Sequence, residues 1–342
     1  MAYTTINKPN TQMNPVLYTG NESTNVITTG LANDFVWIKA KDSAGTNHYL
    51  FDSVRGVQKN IHSNTNDAEV TEANTLTAFN STGFTLGSDA QVNGSGQPHI
   101  SWNWKAGGTA VSNTDGDIAS SVSANTTNGF SVVTYTGNGT SGSTIGHGLT
   151  SVPSMIIVKR RNVTNGWGVY HKTLGTGSEV YLNLTQAVTN SNFWITTPTT
   201  SVFSVSSSDY VNTSSDTYVA YCFAEKKGFS KFSSYIGNGN ADGTFVYTGF
   251  KPAFIMFKRT NSTSGWGMYD NKRTPFNLMN KRLLANTSGA EDTSADNGIN
   301  FLSNGFKWKT GSGWNASGGT YIYMAFAQNP LVGTNNVPAT AR

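Results

Sequence analysis

Three short apolar runs end in lysine: Phe35-Val-Trp-Ile-Lys39, Met155-Ile-Ile-Val-Lys159 and Phe254-Ile-Met-Phe-Lys258. Every position before the lysine is apolar, so both faces of an extended run should be buried, as in a central strand of a two-layer sheet. The lysine is expected to lie along the apolar surface with its ammonium in water. A second pattern alternates. In His99–Lys105, Tyr218–Ala224 and Tyr321–Ala327, one face carries Ile100, Trp102 and Trp104; Val219, Tyr221 and Phe223; Ile322, Met324 and Phe326. The other face is small (Ser101, Asn103, Ala220, Cys222, Ala325), apart from Tyr323. This predicts strands with one face on a core. Upstream of them, Phe84, Phe203 and Phe306 align, as do Leu86, Val205 and Trp308, and Val92, Val211 and Trp314. Asn93, Asn212 and Asn315 follow, each before a small polar turn.

These patterns recur in one order after Tyr18-Thr-Gly-Asn21, Tyr135-Thr-Gly-Asn138 and Tyr235-Ile-Gly-Asn238, whose tyrosines are 117 and 100 residues apart. Propeller-sized repeats are about 40–50 residues, so each copy is long enough to be a domain. The expected class is all-β: three tandem, related β-sandwich (jelly-roll-like) modules with N- and C-terminal arms, rather than one three-fold barrel. The expected boundaries are an arm over 1–16, a first repeat over 17–108, a linker over 109–128, a second repeat over 129–227, a third over 228–330 and a tail over 331–342. Helix signals are confined to Thr71–Ala78 and Lys281–Ala285. The Gly-, Ser-, Thr- and Asn-rich connection Gly107–Asn128 contrasts with the short Glu225–Gly228, so the second and third repeats should pair tightly, with the first on a longer tether or crossing arm. The polar termini should be ordered by a partner.

Composition narrows the function. Charged residues make up only 12% of 342 residues and aromatics 12%, which suits many short strands and excludes disorder. The net charge is +4 and no basic run exceeds Lys159-Arg-Arg161, so nucleic acid is not expected as a partner. The start has no secretory pattern and no apolar run reaches membrane-helix length, so membrane insertion is not expected either. The one cysteine, Cys222, sits at a small-residue position and reads as packing.

Candidate chemistry is sparse. Glycoside hydrolysis needs paired carboxylates, and Asp52 and Asp270 end matching aromatic strands. His171 holds that place in the middle copy, so the plainer reading is a strand-end polar residue with Arg55 and Arg273 as ion partners. The five histidines lack metal-ligand spacing, and Asp115, Asp117, Asp209, Asp292 and Asp296 form no EF-hand loop. Neither a nucleophile elbow nor a phosphate loop is present. The expected catalytic, cofactor-binding and metal-ligating sets are empty. Trp167 and Trp266, each in a Gly-Trp-Gly context, are the candidates for stacking on a glycan, against the plainer reading of inter-strand packing.

The opening Met1-Ala-Tyr-Thr-Thr-Ile-Asn-Lys-Pro9 with Leu17-Tyr-Thr-Gly-Asn21 resembles virion structural or tail-fibre-like proteins of marine tailed phages. So do Phe35–Lys39, Phe51-Asp-Ser-Val-Arg-Gly56, Trp104-Lys-Ala-Gly-Gly108, Gly146-His-Gly148, Ala220-Tyr-Cys-Phe-Ala-Glu225 and Tyr321-Ile-Tyr-Met-Ala-Phe326, over nearly the whole chain. The resemblance implies a non-enzymatic virion protein, made in the host cytoplasm and released by lysis. It would serve as a tail fibre or appendage, or as a capsid decoration. The implied partners are other virion proteins, further copies of the chain with a trimer as the expected oligomer, and a host-surface glycan. No catalytic residue is carried over. The competing class is a carbohydrate-binding module or glycan-active enzyme.

Overall fold

The computed structural model describes residues 3–332. Three large antiparallel sheets share one strand order: opening strand, closing strand, lysine strand, aromatic strand, then a short fifth strand. In the first sheet the first four are Met13–Thr19, Pro98–Trp104, Phe35–Ala40 and Tyr49–Asp52, followed by Lys59–His62 and Val70–Thr71. In the second they are Phe130–Thr136, Thr217–Phe223, Met155–Arg160 and Trp167–His171, followed by Val180–Tyr181. In the third they are Ser230–Ile236, Thr320–Pro330, Phe250–Arg259 and Trp266–Asp270, followed by Leu283–Leu284. A small outer sheet covers each: Asn25–Thr28 with Gly83–Leu86 and Leu76–Asn80; Thr144–Gly146 with Val202–Ser204; Phe245–Tyr247 with Gly305–Trp308 and Ile299–Leu302.

Alternation assigns side chains to two different cores. Odd positions of the lysine strands (Phe35 and Trp37, Met155 and Ile157) and the matching Phe254 and Met256 enter one cluster common to all three sheets. The intervening Val36 and Ile38, Ile156 and Val158, Ile255 and Phe257 pack beneath their own outer sheets. The closing strands divide likewise. Trp102 and Trp104, Tyr221 and Phe223, Met324 and Phe326 meet in the common cluster, where Trp104 lies 6.3 Å from Phe223 and 5.7 Å from Phe326, centre to centre. The closing strands are therefore buried on both faces, not one. Ser101, Asn103, Ala220 and Cys222 are small because an outer sheet lies over them, and all are fully buried. Aromatic side chains of this size dominate core energetics, and each truncation to alanine costs about 3–5 kcal/mol.

The common cluster changes the expected organisation. The copies do not hang as separate bodies, because each lacks one wall of its core without the others. The connection read as a tether contributes Val111–Asn113 and Ser120–Asn125 as two further strands on the open edge of the second sheet. Thr71–Ala78 and Lys281–Ala285 are not helical but contribute short strands, since tertiary pairing overrides weak local preference. The described part of the N-terminal arm is tied to its own chain. Ile6 enters the common cluster, Tyr3 donates to the Gly249 carbonyl (2.8 Å), and Met13–Thr19 pairs with Pro98–Trp104. The expected C-terminal tail, apart from Leu331 and Val332, lies outside the described residues.

Candidate functional site

The Tyr-x-Gly-Asn motif is a structural staple. The hydroxyls of Tyr18, Tyr135 and Tyr235 donate to the carbonyls of Val92, Val211 and Trp314 at 2.7, 2.7 and 2.9 Å. The asparagines form reciprocal amide pairs: Asn93, Asn212 and Asn315 donate through Nδ2 to the side-chain oxygens of Asn21, Asn138 and Asn238. In return, each accepts the backbone N–H of its partner. The glycine between allows the approach. A Cβ on Gly20, Gly137 or Gly237 would stand 2.2, 2.3 and 2.3 Å from the carbonyl oxygens of Gly94, Thr213 and Ala316. The motif thus joins the opening strand to the end of the same copy and leaves no group free for chemistry.

Trp167 and Trp266, the glycan candidates, are buried and face neighbouring copies. Trp167 Nε1 donates to the His62 carbonyl of the first copy (3.0 Å), and Trp266 Nε1 to the Tyr181 carbonyl of the second (2.8 Å). The register that pairs Lys159 with Trp167 and Lys258 with Trp266 places His48 at the matching position of the first copy. Trp37 Nε1 donates to His48 Nδ1 (2.9 Å), which leaves the ring proton on Nε2, and Nε2 donates to the Leu284 carbonyl of the third copy (3.1 Å). One position therefore links first to third, second to first and third to second. The contacts close a ring.

The repeated lysines belong to the same ring, and their ammoniums are not in water. All three are fully buried. Lys39 Nζ donates to Ala40 O, Ser43 O and Thr46 Oγ1; Lys159 Nζ to Asn66 O, Arg160 O and Asn165 O; Lys258 Nζ to Thr185 O and Ser264 O. Asn66 and Thr185 belong to the preceding copy, so two of the lysines staple loops across copies. Burial pulls each ammonium down to about 8. For Lys159 and Lys258 the apolar stem cannot carry the head to solvent because the preceding copy covers it, and Lys39 is held by its own loop.

The strand-end acids complete the ring, and their ion partners are buried rather than exposed. Asp52 accepts from Arg55 Nε (2.5 Å) and from Tyr221 Oη of the second copy (2.8 Å), while Arg55 Nη1 reaches Glu69 (3.0 Å). Asp270 accepts from Arg273 Nε (2.6 Å) and from Trp102 Nε1 of the first copy (3.2 Å), while Arg273 Nη1 reaches Glu291 (3.2 Å). Tyr221 and Trp102 hold equivalent closing-strand positions, and the third such position is Met324, which has no donor. A carboxylate in the second copy would face that thioether unpaired. His171 stands there instead and meets the backbone carbonyl of Tyr323 (3.2 Å). Leu174 and Val188 replace the arginine and outer glutamate and pack on the common core. Backbone bonds fix this equivalence: Glu69, Val188 and Glu291 donate N–H to Arg161, Thr260 and Lys41 carbonyls of the neighbouring copy. The substitution of acid by histidine thus belongs to a change of the whole group, which is intelligible as packing.

Other candidates do not converge. No cluster of three or more His, Cys, Asp or Glu able to hold a metal occurs among the described residues. Burial raises the Cys222 thiol far above its usual range. The common core holds a void of only 10 Å³, about one water. A groove of 560 Å³ contains one acid, Asp34, whose oxygens accept from Ser53 Oγ (2.9 Å) and Ala106 N (2.8 Å). Sequence reasoning missed one exposed feature. On the outer sheet of the third copy Phe245 and Tyr247 face solvent, 44% and 53% exposed. Beside them Asp242 bridges Lys307 and Lys309 at 2.9 and 2.7 Å, which holds its carboxyl down at about 2. The signal was available: Phe245-Val-Tyr247 aligns with Thr144-Ile-Gly146, with the central residue inward in both.

The fold and site together define a closed all-β assembly of three related sheets, whose repeated polar residues bind one copy to the next. The chain belongs to the family described as a domain of unknown function, DUF7483, whose pattern matches residues 8–330. No curated protein and no solved structure matches it.

Proposed function

We propose that this is a non-enzymatic structural protein of a tailed-phage virion, carried on the exposed surface of the particle as a tail appendage or a capsid decoration. One observation carries the reading. The repeated acids, lysines, asparagines and tryptophans are engaged in intramolecular bonds, some within a copy and some between copies, so the residues that could perform catalysis instead hold a rigid body together. The likeness of the sequence motifs to virion proteins supports the setting. A rigid body of this kind acts through its outer faces and loops, with other virion proteins, further copies of the chain and a host-surface glycan as partners.

The test is to purify particles from a lysate in which the gene is expressed, then locate the chain by mass spectrometry and antibody-gold labelling. Label on tails or heads supports the reading and decides between them. A chain found only in the soluble lysate would refute it. Turnover of a glycan by the purified protein, abolished by Asp52→Asn with the fold intact, would refute the non-enzymatic part.

A further inference from the structure

The three outer sheets share a backbone plan but not a surface. Their first strands each turn one apolar residue inward: Ile27, Ile145 and Val246. The outward neighbours are Val26 and Thr28 in the first copy and Phe245 and Tyr247 in the third, while in the second Thr144 and Gly146 lie against the 113–118 segment of the same chain, which buries Gly146. Core packing does not require these rings, since the inward residue already fills that role. Two large aromatics at about half exposure therefore stand where the other copies have small or aliphatic residues.

Their surroundings limit what could bind. On a strand, alternate residues are about 7 Å apart, so the two rings flank one short platform. Lys307 lies directly across from Phe245, and Asn300 directly across from Lys307. Paired residues across a sheet have Cβ atoms about 5 Å apart, so Lys307 and Phe245 leave the sheet side by side, and Asp242 holds the lysine ammonium (2.9 Å). The Asp242 carboxylate is shared between Lys307 and Lys309, which pre-positions donors and acceptors and leaves the patch with a net charge of +1. A purely apolar partner would strip water from these charged groups without replacing its hydrogen bonds, which is costly. A basic or neutral partner would not answer the surplus positive charge. A ligand with flat C–H faces, many hydroxyls and a carboxylate answers all three features: the C–H faces pack on the rings, the hydroxyls bond Asp242, and the carboxylate meets the lysines.

We propose that the outer face of the third copy, around Phe245, Tyr247, Lys307 and Asp242, binds an acidic oligosaccharide. The inference rests on the reading that an exposed surface does this protein's work, but it does not depend on where the protein sits in a particle.

The test is isothermal calorimetry of the purified full chain with oligogalacturonate, oligoalginate and oligosialic acid, and with dextran and cello-oligosaccharide as neutral controls. At least one acidic probe should bind, more weakly as salt rises. Phe245→Ala and Tyr247→Ala should each lower affinity about tenfold. Lys307→Ala should lower it and flatten the salt dependence. Val26→Ala, the matching surface change in the first copy, should leave it unchanged. All four side chains are exposed or part-exposed, so the melting temperature checks that the fold survives. Absence of binding to every acidic probe, binding only to the neutral ones, or binding indifferent to Phe245 and Tyr247 would each overturn the proposal. Failure here with the chain still found on particles would sink the glycan site alone. Binding with the chain absent from particles would sink the virion reading alone.

Discussion

The contrast between the charged and apolar versions of one interface allows a quantitative test. Arg55 is fully buried, and its side chain makes four bonds: to Asp52, Glu69, the Leu50 carbonyl (2.9 Å) and Tyr221 Oη (3.2 Å). Arg55→Leu removes the cation and leaves the Asp52 carboxylate buried with two neutral donors, its own loop N–H and Tyr221. Breaking a buried ion pair from one side costs about 3–5 kcal/mol. That is a large fraction of a total stability of about 5–15 kcal/mol. In a chain of this length, with an unfolding entropy of about 2.1 cal/mol/K per residue, it lowers the melting temperature by about 4–7 °C, at roughly 1.4 °C per kcal/mol. The second copy shows what a complete replacement looks like: His171, Leu174 and Val188 facing Met324. The quadruple variant Asp52→His, Arg55→Leu, Glu69→Val and Tyr221→Met, made in an Arg161→Thr background because Arg161 would otherwise lose its Glu69 partner, copies that solution into the first interface. Replacing a whole buried ionic group by well-packed residues is often neutral or stabilising. The quadruple variant should therefore recover most of the loss, to within about 1–2 kcal/mol of the parent. Urea unfolding followed by tryptophan fluorescence and circular dichroism measures both. If the single variant costs less than about 1 kcal/mol, or the quadruple variant is less stable than the single, the argument from buried charge is wrong.

Three further outcomes are expected. Burial holds His171 down to about 4, against 6.5 unperturbed, so the unfolded chain takes up its proton first as pH falls. The stability this histidine contributes is present above about 6.5 and is lost as pH drops through that value towards 4; at about 1.4 kcal/mol per unit the loss is roughly 3 kcal/mol, and His171→Asn should flatten the stability curve between pH 7 and pH 4.5. Gly137→Ala places a methyl 2.3 Å from the Thr213 oxygen, so the soluble yield or melting temperature should fall sharply, by an amount equivalent to more than about 3 kcal/mol. Asn212→Ala removes the amide pair with Asn138 and leaves buried groups unbonded, which should cost about 1–3 kcal/mol in urea titrations, whereas Asn190→Ala at an exposed position should cost under about 0.5.

Much of the fold was legible because alternation and repeat spacing are local signals. The lysine strands, the closing strands and the all-β class follow from which residues are apolar and how often. Assembly was not legible in the same way. Trp102, Tyr221 and Met324 read as one apolar position, yet their different capacities to donate a hydrogen bond decide which acid or base stands across the interface. The lysines were misread because sequence alone cannot show that another copy covers the end of the strand. The same blindness made Trp167 and Trp266 candidates for a ligand when they face a neighbouring copy. The aromatic pair at Phe245 and Tyr247 was overlooked for the opposite reason: an aromatic residue in a strand is assumed to be inside.

The ring has a consequence for how the protein comes into being. Trp102 and Trp104 are synthesised early, but their partners Phe254, Phe326 and Asp270 leave the ribosome more than a hundred residues later. Until then the nascent chain carries an aromatic face that residues of the second copy such as Phe223 cover only in part. Pairings this distant along the chain are slow to form, because chain closure must come before the contacts reward it. Synthesis should thus have an all-or-none end: a chain truncated within the third copy is not two finished domains and a stub but an incomplete, aggregation-prone body, which chaperones must shield.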